Sequence, residues 1–145
     1  MSISPDPAFS GERGKRLAAF AAGVEWKHLP ADLQSRLLDH VTDIVGVMFA
    51  GMNVPECAAA RKAAAHWGRG DEATIAGTRE RAPVPTAAFA NALAARIHTY
   101  DDTYEPGNVH PGNAVVSAAL ALGESRGIDG PQFLAAVLAG YEVVT

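Results

Sequence analysis

The chain has 145 residues, 48 % of them apolar and 19 % charged, with a formal net charge of −4 at pH 7. That length allows one domain with its own core, and the composition is globular rather than disordered. Lysines and arginines are dispersed, so nothing tracks a phosphate backbone and nucleic acid is not an expected partner.

Cys57 is the only cysteine, which excludes an intrachain disulfide, suits a reducing cytoplasm, and reads as a small apolar side chain in a helix. Residues 1–11 carry Pro5 and Pro7 and no apolar run; they are expected to be a flexible N-terminus, not a secretory signal. Val41 to Met52 is interrupted by Thr42, Asp43 and two glycines, so no membrane span is expected.

From Gly14 to Lys27 the spacing of Leu17, Phe20, Ala21 and Val24 predicts a first helix. Pro30 and Asp32 open a second, long one, whose stripe runs Leu33, Leu37, Leu38, Val41, Ile44, Val45 and Met48 until Gly51 and Asn53. A third is predicted from Glu56 to Trp67, after Pro55 and before Gly68. Ala73-Thr74-Ile75-Ala76 is β-branched but has no evident partner, so it reads as an extended linker.

Pro85 opens a fourth helix, Thr86 to about Thr99, with Ala87, Ala90, Leu93, Ala94 and Ile97 on its buried stripe. A fifth, Ala114 to Gly123, is apolar almost all round, the mark of a helix surrounded by protein. Asp129-Gly130-Pro131 starts a sixth with an Asp N-cap. The expected fold is all-α: a compact bundle of about six helices over residues 12–145, centred on the Ala- and Gly-rich fourth and fifth. The last helix reaches Thr145 without Gly, Pro or a basic stop, so the domain is expected to be truncated at its C-terminal end. Trp26 and Trp67 read as core or interface anchors, and His28, His40 and His66 as surface or interface histidines.

Chemistry concentrates between the fourth and fifth helices, in Asp101-Asp102-Thr103-Tyr104-Glu105-Pro106-Gly107-Asn108-Val109-His110-Pro111-Gly112-Asn113. Two adjacent carboxylates cannot share one face, so one is expected to point into a site while the other braces the loop. His110 stands at a helix start, where free N–H groups and the dipole favour an anion such as a carboxylate, and an imidazole there suits acid–base work. The same residues also suit a purely structural turn. Two metal-dependent readings draw on this region as well: a magnesium–diphosphate site from Asp101, Asp102 and Glu105, and a transition-metal site from His98, Asp101 and His110.

Phe89-Ala90-Asn91, Arg96-Ile97-His98-Thr99-Tyr100-Asp101-Asp102-Thr103-Tyr104, Val109-His110-Pro111-Gly112-Asn113 and the following Ala-rich run resemble the MmgE/PrpD family, which includes 2-methylcitrate dehydratase, cis-aconitate decarboxylase and iminodisuccinate epimerase. The resemblance implies a homodimeric cytoplasmic or mitochondrial enzyme needing no metal or organic cofactor. Its implied substrates are small di- or tricarboxylates, bound between a large helical domain and a smaller α+β domain. The implied chemistry is proton transfer next to a carboxylate, ending in loss of water, loss of CO₂ or epimerisation. By position it makes His110, Asp101 and Thr103 the catalytic candidates, and Arg96, Asp102, Asn91 and Gly112 the substrate-binding ones. Thr99 stands where several members carry an Asp, and Arg96 where many carry a His, which shifts weight towards an epimerase-like or divergent activity. The expectation is thus a cofactor-independent, cytoplasmic, homodimeric lyase or isomerase of which this chain carries part of the site. The competing expectation is a non-catalytic helical module for dimerisation or binding.

Overall fold

A computed structural model describes residues 11–145; the expected flexible N-terminus lies outside the described residues except for Gly11. The described residues form six helices and one small hairpin: α1 (Glu12–Gly23), α2 (Ala31–Gly51), α3 (Pro55–Ala64), β1 (Ala73–Thr74), β2 (Arg81–Ala82), α4 (Val84–Arg96), α5 (Pro111–Arg126) and α6 (Gly130–Val144). Trp26–His28 and Glu105–Gly107 are single 3₁₀ turns. The domain is all-α in character. No single helix among the described residues is long and apolar enough to cross a membrane.

α2 buries Leu37, Ile44, Val47 and Met48, the helical stripe its sequence carries. Leu37, Ile44 and Met48 meet Val116 of α5 and Leu134, Val137 and Leu138 of α6 in one core cluster. A second cluster joins Met52 and the buried Cys57 to Ile75, Ala82 and the alanines Ala87, Ala90 and Ala94 of α4. Small side chains let α4 pack closely, chiefly on α5 and α2. At the α2–α4 crossing Gly51 lies against the Ala94 carbonyl and Ile97, where a Cβ has no room. α6 starts in a capping box: Asp129 accepts from Gln132 N at 2.8 Å, and Gln132 Oε1 from Asp129 N at 3.2 Å.

The structure corrects four local expectations. Ala73-Thr74 does have a partner: it pairs antiparallel with Arg81–Ala82, Ala73 opposite Ala82. The ladder is too short to stand alone and is held from outside. Glu124 of α5 accepts from Thr74 N at 2.6 Å and from Thr74 Oγ1 at 2.7 Å, and pairs with Arg81. Burial alone would raise the Glu124 carboxyl, but the Thr74 donors and Arg81 hold it below its ordinary value. α3 stops at Ala64, short of Trp67, which is 61 % exposed beside Phe89 rather than in the core. α1 buries none of its residues, leaving Leu17 and Phe20 nearly half exposed. α4 ends at Arg96 and α5 begins at Pro111, so the connecting loop is longer at its start and the fifth helix longer at both ends than the pattern suggested.

Candidate functional site

α4 ends in a tight reversal. Thr99 sits at φ 56° and donates its N–H to the Arg96 carbonyl at 2.9 Å. A β-branched residue is poorly suited to this left-handed region, so the loop begins with local strain. It then crosses to α5 through a single bridge between Tyr104 and Val109 and the 3₁₀ turn at Glu105–Gly107.

The two aspartates are both turned inward, to different partners. Asp101 has a fully buried carboxylate that accepts from Arg96 Nη1 at 3.0 Å and from the Asn113 side chain. It lies 3.6 Å from His110 Nδ1. Arg96 therefore already faces a carboxylate, although its side chain stays 42 % exposed. Asp102 caps α5: its Oδ1 accepts from Gly112 N at 2.9 Å, so the helix-start N–H expected to attract an anion is met by this side chain. Its Oδ2 accepts from the Tyr141 hydroxyl of α6 at 2.6 Å, and His40 Nδ1 of α2 stands 3.8 Å away. Burial, then the hydrogen bond to Asp102, pushes the Tyr141 phenol well above its ordinary value, so Tyr141 stays a donor.

His110 is the hinge between loop and helix. Its Nδ1 is 3.0 Å from the Asp102 carbonyl oxygen and 3.3 Å from Thr103 Oγ1. A carbonyl only accepts, so Nδ1 is assigned the proton and Nε2 carries the lone pair in the neutral ring. The imidazole is 27 % exposed, open enough to meet a ligand and held on its other edge by the loop. Asn113 donates to the His110 carbonyl at 3.1 Å as well as to Asp101, tying the first turn of α5 to the acidic pair. Gly112 is required here. A Cβ would lie 2.5 Å from Asp102 Oδ1 and 2.6 Å from both Ile44 Cδ1 and the Tyr141 hydroxyl.

The structure thus brings together Arg96, Asp101, Asp102, Thr103, His110 and Gly112. Asn91 lies apart from them. It is 2 % exposed, accepts from Ala76 N at 2.9 Å and donates to the Thr74 carbonyl at 3.2 Å, so its polar ends serve the hairpin. His98 stacks on Tyr100 with ring centroids 5.7 Å apart. Among the described residues no group of three or more His, Cys, Asp and Glu side chains converges as metal ligands would.

Tyr141 and His40 are the residues the sequence did not flag. Tyr141 lies in a mostly apolar helix, and a tyrosine there needs a partner for its hydroxyl, which was the available signal. His40 gave none, since nothing local links α2 to the loop.

Among known families, the model for the MmgE/PrpD N-terminal domain matches residues 15–145. No curated protein and no solved structure matches the chain.

Proposed function

The chain belongs to the MmgE/PrpD family of dehydratase-like enzymes, and on that premise we propose that it is part of a cofactor-independent lyase or isomerase acting on small di- or tricarboxylates. The observation that carries the reading is His110: its Nδ1 is fixed on the Asp102 carbonyl, leaving Nε2 as a base on a partly open surface. In this reading Nε2 takes the proton from a carbon next to a substrate carboxylate. The electron pair left on carbon spreads into that carboxylate. It then expels a neighbouring hydroxyl, which takes up a proton and leaves as water, or takes a proton back on the opposite face. In decarboxylation the electron pair comes instead from the C–C bond that breaks as CO₂ leaves, and protonated His110 delivers a proton to that carbon.

Asp101, buried behind Nδ1, offsets the positive charge that His110 gains on accepting the proton. Thr103 is exposed beside the imidazole and offers a hydroxyl to a substrate oxygen. Arg96 has one nitrogen on Asp101 and further N–H groups for a carboxylate. Asp102 and Gly112 hold the loop on α5 rather than meeting the substrate. The complete site includes groups beyond these, in a cytoplasmic homodimer of the full-length protein.

The test is carbon–hydrogen exchange. Full-length protein in deuterated water, given a panel of di- and tricarboxylates, should exchange a hydrogen next to a carboxylate in at least one of them by NMR. His110→Gln should slow that exchange by about 10²- to 10⁴-fold. Absence of exchange with every candidate counts against the reading.

A further inference from the structure

Between α2, α6 and the acidic loop lies a cleft of about 280 Å³. Leu37 and Leu138 give it an apolar floor, and Thr103 and Tyr141 line it beside the loop. Arg36 and His40 line it from successive turns of α2. An apolar floor with a few converging polar groups is the usual make-up of a small-ligand site. Both side chains stay largely open to solvent, and each has one carboxylate nearby, Asp32 for Arg36 and Asp102 for His40. Arg36 is 74 % exposed with Asp32 3.6 Å away, and His40 is 53 % exposed.

We infer that this cleft is a carboxylate subsite, in which Arg36 and His40 hold the substrate carboxylate remote from the reacting carbon. The inference rests on the reading above, in which the substrate carries two or three carboxylates and His110 works beside one of them. Thr103 joins the two regions, since it lines the cleft and stands 3.3 Å from His110 Nδ1. Thr103 is thus the residue that the cleft and the imidazole share.

Two carboxylates also line the cleft, and they set the sign of the test. Asp102 has one oxygen on Gly112 N–H and the other on the Tyr141 hydroxyl, so donors already compensate its charge. Glu142 has no ion-pair partner among the described residues and opposes an anion. Neutralising Arg36 and neutralising Glu142 must therefore move affinity in opposite directions.

The probe is tricarballylate, a saturated tricarboxylate with nothing to eliminate, titrated into full-length protein while the ring C–H signals of His40 and His110 are followed by NMR. The His40 signals should shift saturably. Arg36→Gln, an exposed change that leaves the core intact, should weaken binding about tenfold. Glu142→Gln should strengthen it about twofold. Arg126→Gln removes the same charge at the far end of α5, about 24 Å along the helix, and should leave it unchanged. His40 signals that ignore tricarballylate, or equal weakening by Arg36→Gln and Arg126→Gln, overturn the subsite. Carbon–hydrogen exchange with a KM indifferent to Arg36→Gln overturns it too, while His110 keeps its role. Failure of the parent reading looks different: no candidate exchanges, yet tricarballylate still moves His40 in an Arg36-dependent way.

Discussion

Tyr141→Phe removes one atom and asks how firmly α6 holds the acidic loop. The lost contact is the 2.6 Å hydrogen bond from the hydroxyl to Asp102 Oδ2. A hydrogen bond to a charged group contributes about 1.5–3 kcal/mol net. Asp102 is 14 % exposed and keeps its bond to Gly112, so water and the helix start compensate part of the loss. The low end applies, about 1.5 kcal/mol, which lowers Tm by about 5 °C in a chain of this size.

The raised phenol adds a pH signature. Below pH about 10 both folded and unfolded tyrosine are protonated. Above it the unfolded residue loses its proton while the folded one keeps it, so stability falls as pH rises, by up to about 1.4 kcal/mol per unit. Thermal melts from pH 7 to 11 read both effects, other titrating groups cancelling between the two proteins. Tyr141→Phe should start lower and decline less steeply in alkali. An unchanged Tm together with parallel alkaline slopes refutes the Tyr141–Asp102 bond as a brace.

Two further substitutions probe the same loop. Gly112→Ala places a Cβ 2.5 Å from Asp102 Oδ1 and 2.6 Å from Ile44; it should cost about 2–4 kcal/mol in denaturant unfolding and displace the His110 signals in NMR spectra. Thr99→Asn relieves a β-branched residue at φ 56° and should raise stability by about 1 kcal/mol in the same experiment, whereas a loss would show that Thr99 is held there by more than backbone geometry.

The fold was legible where periodicity was long. Leu37, Ile44 and Met48 announce α2 because a helix of 21 residues repeats its stripe often enough to be unmistakable. Prolines at residues 30, 55, 85 and 131 and the Asp129 cap set helix starts to within a residue or two. The hairpin was not legible. Two-residue strands carry no alternation, and β1–β2 depends on Glu124, 50 positions from Thr74. Trp67 and Phe20 misled in the opposite sense, because an apolar residue at helical spacing says nothing about what covers it.

The acidic loop was visible from its punctuation and its clustered polar types. Its internal division of labour was not: which aspartate meets Arg96 and which caps α5 depends on how α4 and α5 cross. Asn91 shows the same limit, since its proximity in sequence to the loop concealed hydrogen bonds directed at Thr74 and Ala76.

The central claim is that the loop presents His110 with its proton on Nδ1 and a lone pair on Nε2. Long-range proton–nitrogen NMR on the full-length protein, above the pH where the ring is charged, reads this directly. The account predicts an Nε2 signal of the unprotonated type and a protonated Nδ1, with the Nδ1 assignment weakened in Gly112→Ala. A ring protonated on Nε2, or one averaging freely between its two forms, contradicts it.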